Sequence, residues 1–489
     1  MHKNRVVLKN VNIYQQGLAD ILIDEGRIIH ISKEPGYEVG DAVCHDLKSH
    51  LMVPPYVESH IHLDYTYTAF HPSAINRTGT LFEGIARWSE IKKSDDVQTV
   101  KERAKRALKH QILSGIQYVR THVDITDPDL TGLKALLELK EEYRDLVEIQ
   151  IVAFPQEGLY CYPKAEELLE EALRMGADAI GAIPHFEYTE ELGRASLKKV
   201  VELAVKYDRM IDVHCDETDD EHSHFLEQLA YLAHVNGIGA RTTASHASAM
   251  ASYNNAYTFK LFKLLCRAGL RFAVCPAENL YLQGRQDSYP KRRGITRVKE
   301  LLEAGLNVSF AQDSISDPWY PLGNGNLMNI LDIGLHACQL MSLKEIESAL
   351  DLITVHGAKT MNLDAYGIEV GRMADFIILD AGTPFDAVQG RADVLCSVRH
   401  GKLLFKKEKP VYQTGQTVDK AALGFVSQSH FSLINRIVYK IEILSGSPSS
   451  RSPHFAFSFA SFLRFMQANV SPAFISIRAF PNICVYRNP

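Results

Sequence analysis

Two histidines two residues apart, His60 and His62, close the apolar stretch VPPYVESHIHLDYT at 53–66. In a β-strand, residues i and i+2 project to one face, so both imidazoles can reach a single ion. Paired histidines also serve as satisfied core residues, and the pair alone decides nothing. Further along, other apolar runs end in the same residue types: His122 with Asp124, Gln156, His185, His214 with Glu217, His246, Pro276, and Asp313 with Ser314. His or Asp stands at six of these eight ends, which a random set of strand ends would not show.

Three histidines and one aspartate make a hard-to-borderline donor set suited to zinc or ferrous iron. It is too hard for copper(I) and too nitrogen-rich for magnesium or calcium. We assign His60, His62, His214 and Asp313 as that set. The fourth run ends at His185 without a lysine to bridge two ions, so one divalent metal is expected rather than two. Such an ion lowers the pKa of a water it binds from near 16 to about 7. A carboxylate must then move the proton, and Glu217, three residues after His214, is the expected acid–base group. His246 ends the next run and is expected to orient the water or stabilise charge. The expected catalytic residues are thus Glu217, His246 and Asp313. Gln156 offers a donor and an acceptor to an amide edge. With Leu81, Ser314 and Trp319 it completes the expected substrate-binding residues, and Trp319 and Phe82 are the candidates to cover a flat ring.

From Leu51 the texture repeats as strand, loop, helix. Strands are expected at 51–60, 115–124, 147–156, 179–185, 210–217, 241–246, 270–276 and 306–313. Helical periodicity fills 97–114, 129–143, 164–175, 194–207, 219–236, 256–269 and 295–304, and a further helix is expected at 325–341. Several helices end at glycine (115, 176, 237, 269, 305), which accepts the left-handed backbone of a helix terminus. Eight such units in one stretch are what a (β/α)8 barrel requires, and strands that read as continuous apolar runs fit a parallel sheet covered on both faces. A doubly wound open sheet would explain the alternation equally well but lacks its Gly-x-Gly-x-x-Gly loop here. The fold class is therefore α/β: a TIM barrel over 53–362, whose functional residues belong at the C-terminal ends of the strands. Short strands at 1–52, with a hairpin signal at Asp24-Glu25-Gly26, and again at 363–423 are expected to pair as one small β domain built from both flanks.

Composition narrows the class further. The chain of 489 residues is 46% hydrophobic and 23% charged with net charge −6 and no dense basic run, so no nucleic-acid polymer or anionic membrane is expected as a partner. Eight scattered cysteines, none in a C-x-x-C pair, fit free thiols in a reducing compartment. No signal-peptide h-region and no run of about 18 apolar residues is visible, and a cytoplasmic protein is expected. Residues 424–489 differ from all that precedes them: nine of 21 Phe, twelve Ser, six Arg or Lys and the single acid Glu442. We expect this tail to be disordered or non-native.

The site residues and their surroundings resemble the amidohydrolase superfamily, through HIHLD, VHCDE, the ASH strand end and the Asp of AQDS. The resemblance is closer to the bacterial cytosine deaminases, through TGTLFEGIARW (78–88), IVAFPQEG (151–158), GAIPHFE (181–187), IDVHCDE (211–217), QGRQDSYPKRRGITRVKE (283–300) and DPWYPLG (317–323). It covers roughly residues 1–420 and implies one iron or zinc ion on His60, His62, His214 and Asp313. It further implies that Glu217 passes a proton to a ring nitrogen, that His246 positions the attacking water and that Gln156 grips the pyrimidine amide edge. A homo-oligomer and a role in pyrimidine salvage are implied as well. The sequence departs from that family where two consecutive aspartates are expected, having Asp313-Ser314, and reads Ala311-Gln312 for Gly-His and CPAEN (275–279) for an Asn-Pro-Leu type loop. Ser is smaller than Asp and uncharged, so the pocket is expected to admit a 5-substituted base such as 5-methylcytosine, with cytosine itself the plain alternative. Isoguanine or creatinine deamination and ring opening of a cyclic amide remain the competing reactions. The H-x-E…P-C-x-x-C signature of the small polynucleotide deaminases is absent.

Overall fold

Eight parallel strands form a ring in chain order in this computed structural model, which describes residues 5–407 except 35, 38, 39 and 41. They are β1 (Tyr56–His62), β2 (Ile116–Asp124), β3 (Glu148–Phe154), β4 (Ala179–Ile180), β5 (Met210–Cys215), β6 (Thr242–His246), β7 (Arg271–Val274) and β8 (Asn307–Phe310). The ring closes just past β8, where Asp313 N donates to His60 O at 2.9 Å and His62 N donates to Asp313 O at 3.0 Å. Helices between the strands, among them Val97–Leu113, Thr131–Tyr143, Glu190–Tyr207 and Asn255–Ala268, turn apolar stripes onto the sheet. The expected (β/α)8 barrel is the observed fold.

The fourth strand is shorter than expected. The apolar run 179–185 reads as one strand, yet only Ala179 and Ile180 ladder with both neighbours. Pro184, which has no N–H to donate, starts a single 3-10 turn over Pro184–Phe186 instead. A helix at Leu81–Ile91 was not expected. Thr80 caps it by accepting from Glu83 N at 3.2 Å, and Leu81, Ile85, Trp88 and Ile91 bury one side. A second unexpected helix, Pro276–Leu282, follows β7 directly. The expected helices at 295–304 and 325–341 shrink to Val298–Glu303 and Leu327–Ala337.

Strands from both flanks share a second sheet, in the order Lys402–Lys406, Val394–Arg399, Phe376–Leu379, Leu51–Val53, Val6–Ile13, Gly17–Asp24 and Arg27–Ser32. It is antiparallel except where Val6–Ile13 runs parallel to Leu51–Val53 and Val43–Asp46. The expected hairpin turns at Glu25 (φ +49) and Gly26 (φ +77), the two left-handed residues a two-residue turn needs. A Cβ on Gly26 would lie 2.5 Å from His400 O, so this turn seats the N-terminal hairpin on the C-terminal one. Leu8, Ile21, Ile28 and Phe376 fill the core beneath. Residues 424–489, the tail set apart above, lie outside the described residues. Among the described residues no helix is long and apolar enough to cross a membrane.

Candidate active site

β1 delivers its histidines through an irregularity. Its register with β2 slips between Glu58 and Ile61, and a bulge of this kind re-aims side chains at a strand end. His60 Nδ1 meets Ser245 Oγ at 2.8 Å, and Ser245 in turn donates to Asp212 Oδ1 at 2.5 Å. This chain fixes the ring and leaves His60 Nε2 buried without a hydrogen-bond partner. His62 Nε2 and His214 Nε2 face each other at 3.0 Å. Asp313 Oδ1 lies 3.4 Å from His60 Nε2 and 3.5 Å from His62 Nε2. The donor atoms of His60, His62, His214 and Asp313 all fall within 4.8 Å of one another.

Burial holds the His60 imidazole down to about 4, and holds His62 and His214 well below the usual imidazole range. Neutral rings offer lone pairs, and burial pushes the Asp313 carboxyl up to about 6. Three imidazole nitrogens and a carboxylate oxygen converging on one buried point fit a divalent cation. Asp313 holds its place in a left-handed backbone (φ +67) that a non-glycine residue enters at a cost of about 1–3 kcal/mol. The closing hydrogen bonds to β1 keep it there. His60, His122 and Asp212 also converge, but the buried Arg120 guanidinium already donates to Asp212 Oδ2 at 3.0 Å, and a second cation would meet that charge.

Above this cage lies a narrow pocket walled by Tyr65, Leu81, Gln156, Glu217, Glu278, Leu282, Ser314 and Trp319. Glu217 is 3% exposed. Its Oε1 accepts from Asn279 Nδ2 at 3.1 Å and lies 3.4 Å from His246 Nδ1. Burial, with Asp313 nearby, raises its carboxyl well above the ordinary range, so it holds a proton readily. The neighbouring Asp216 anchors the Glu217 loop by accepting from Ser223 Oγ (2.6 Å), Phe225 N (3.1 Å) and Leu226 N (2.8 Å) at the start of the following helix. His246 stands in a left-handed backbone (φ +63) at the end of β6 and has an unpartnered Nε2. Gln156 Oε1 is buried and unpartnered as well. Trp319 forms a roof: its indole N–H donates to Leu81 O at 3.1 Å and its ring lies 4.5 Å from that of Tyr65.

Every residue expected in the metal, catalytic and substrate sets therefore meets at one end of the barrel. Phe82 does not join them. It is 52% exposed and stacks on Phe186, because the helix start at Leu81 turns it outward. Asp124 is at a strand end but is committed elsewhere, holding Lys92 Nζ at 2.7 Å and Trp88 Nε1 at 2.9 Å. His122 packs beneath the cage, 4.1 Å from the His60 ring. Tyr65, Glu278, Asn279 and Asp317 were missed. The only signal for Glu278 and Asn279 was the departure at CPAEN, directly after a barrel strand.

Fold and site together describe a (β/α)8 barrel with a buried His/Asp cluster that fits a divalent metal beneath a small pocket. The chain belongs to the amidohydrolase family, whose model matches residues 44–405. A 5-methylcytosine deaminase from Klebsiella pneumoniae, solved with 5-fluorocytosine, is 48% identical with a TM-score of 0.82, covering 83% of this chain and 99% of that one. The N-isopropylammelide isopropylaminohydrolase of Burkholderia multivorans is 25% identical with a TM-score of 0.71, over 82% of this chain and 98% of that one. The N-isopropylammelide isopropyl amidohydrolase of Pseudomonas sp. (strain ADP) is 29% identical over 413 residues, 82% of this chain and 98% of that protein.

Proposed function

We propose that this protein is a metal-dependent deaminase of a free pyrimidine base, converting the amine-bearing ring carbon of cytosine or 5-methylcytosine to a carbonyl with release of ammonia. The observation that carries the reading is the buried cluster of His60, His62, His214 and Asp313 with the Glu217 carboxyl and the Gln156 amide in the pocket wall beside it. The 5-methylcytosine deaminase that resembles this chain over most of its length supports the same substrate class.

His60, His62, His214 and Asp313 would hold the ion, iron or zinc, which supplies an acidified water when bound. As water adds to the amine-bearing carbon, Glu217 would take one of its protons and hand it to the neighbouring ring nitrogen. Asn279 and His246 keep its carboxyl aimed, at 3.1 and 3.4 Å. The second proton goes to the amine, which leaves as ammonia, and Gln156 Oε1 and its amide hold the far amide edge of the ring. Ser314, where an aspartate would be larger and charged, leaves space beside the ring for a 5-substituent.

A substrate panel on metal-replete protein, read by ammonia release, tests this. Cytosine and 5-methylcytosine should both turn over, with kcat/KM for 5-methylcytosine at least equal to that for cytosine. A strong preference for cytosine would refute the roomier pocket. Release of ammonia from isoguanine or creatinine alone would overturn the substrate class, and ring opening without ammonia would overturn the deaminase itself.

A further inference from the structure

Glu278 is the group in the cavity wall that this reaction leaves unused. It lies in the first turn after β7 and is 1% exposed. Its Oε2 has no hydrogen-bond partner, and among the described residues no cation pairs with it. Ser314 lies beside it in the same wall. A polar atom buried without a partner is costly to a fold and calls for an explanation. Here the carboxyl forms part of the cavity wall, between Glu217 and Ser314.

The order of groups around the barrel supplies the ligand. From β3 to the end of β8 the cavity presents Gln156, Glu217, Glu278 and Ser314 in turn. An aminopyrimidine, read round its ring from the carbonyl, presents carbonyl, ring nitrogen, amine-bearing carbon and C5. With Gln156 on the carbonyl and Glu217 on the ring nitrogen, the same sense of travel brings the exocyclic amine to Glu278 and C5 to Ser314. We propose that Glu278 accepts a hydrogen bond from the exocyclic amine of the substrate through Oε2, and that this contact selects the amine-bearing base over the carbonyl-bearing product. This rests on the deaminase reading above. The amine donates to an acceptor oxygen; the carbonyl of the product has only lone pairs to set against it. Burial and the neighbouring Asp313 hold the Glu278 carboxyl well above its ordinary range.

Glu278→Gln keeps the shape and can turn an N–H to the cavity. The variant is expected to raise KM for the aminopyrimidine about tenfold and to lower the inhibition constant of its carbonyl product by a similar factor, with metal content unchanged. A merely structural role would weaken both ligands together. Equal shifts in the same direction, or no shift in either, overturn the proposal. If Glu278→Gln does not fold, Glu278→Met serves: it must raise KM while leaving product binding as tight or tighter, and parallel losses refute the contact. Failure of the deaminase reading shows first in the unmodified protein, as no ammonia from any aminopyrimidine. Failure of the Glu278 contact shows only in the variants of an active enzyme.

Discussion

Gly84 faces the indole of Trp319, and giving it a methyl group tests how the roof of the cavity is held. A Cβ at Gly84 would lie 2.3 Å from Trp319 Nε1 and 2.4 Å from Cδ1, against an ordinary contact of about 3.5–4.0 Å. Helix and indole must therefore part by more than about 1 Å. Three effects compete in Gly84→Ala. Alanine in a helix interior is better than glycine by about 1 kcal/mol. Overpacking costs about 1–3 kcal/mol. Pulling the indole N–H off Leu81 O leaves a buried donor unpaired, at about 1–3 kcal/mol. Packing wins, with a net destabilisation of about 1–5 kcal/mol. Since Trp319 and Leu81 both wall the cavity, a shift of this size should also lower kcat/KM by about 10–100-fold. Urea unfolding and steady-state kinetics measure the two effects. Trp88 and Trp319 are the only tryptophans, so a red-shifted emission would report the displaced roof. A variant about 1 kcal/mol more stable with unchanged kcat/KM would show that the helix yields freely, and the reasoning would be wrong.

Glu217→Gln should cut kcat by about 10²–10⁴-fold while metal content stays at the level of the unmodified protein; near-normal kcat would remove Glu217 from the proton path. Stripping the metal with a chelator should abolish turnover and lower Tm, since an ion at 100 times its Kd adds about 2.7 kcal/mol to the folded state. An unchanged Tm after verified metal loss would argue against the cage. Arg120→Met should destabilise the protein by about 3–5 kcal/mol in urea, because it leaves the Asp212 carboxylate buried without its cation. A loss below about 1 kcal/mol would mean that Ser245 and the nearby imidazoles suffice.

The residues of the candidate site were legible as a group because each strand of a parallel barrel points its end at the same place. Reading where the apolar runs stop was enough to gather His60, His62, His214, Glu217, His246 and Asp313. The run at 179–185 misled for a local reason: apolar residues continue past the point where Pro184 ends the ladder. The helix Leu81–Ile91 went unread although its pattern was present, because it follows a long loop and breaks the simple strand–helix alternation. Glu278 was beyond reach for a different reason. One acid in a short helix looks solvent-facing in sequence, and only the packing of that helix across the barrel end shows its carboxyl sealed inside. The shared sheet was foreseen from short alternating runs at both flanks; its parallel pairing at Leu51–Val53 was not, since nothing in alternation distinguishes the two directions.

The place where the barrel closes has a consequence for its mechanical behaviour. Strand β1 meets the chain just past β8 through one backbone bridge, Ile61 with Asp313, whereas β2 and β3 share seven paired positions. Two of the cage donors, His60 and His62, sit on one side of that seam and a third, Asp313, on the other. An ion held by these residues would act as a clasp across the weakest stitch in the ring. Loading the metal and locking the barrel shut would then be one event, and the apoprotein should breathe first along this line, with amide exchange at His62 and Asp313 as its gauge.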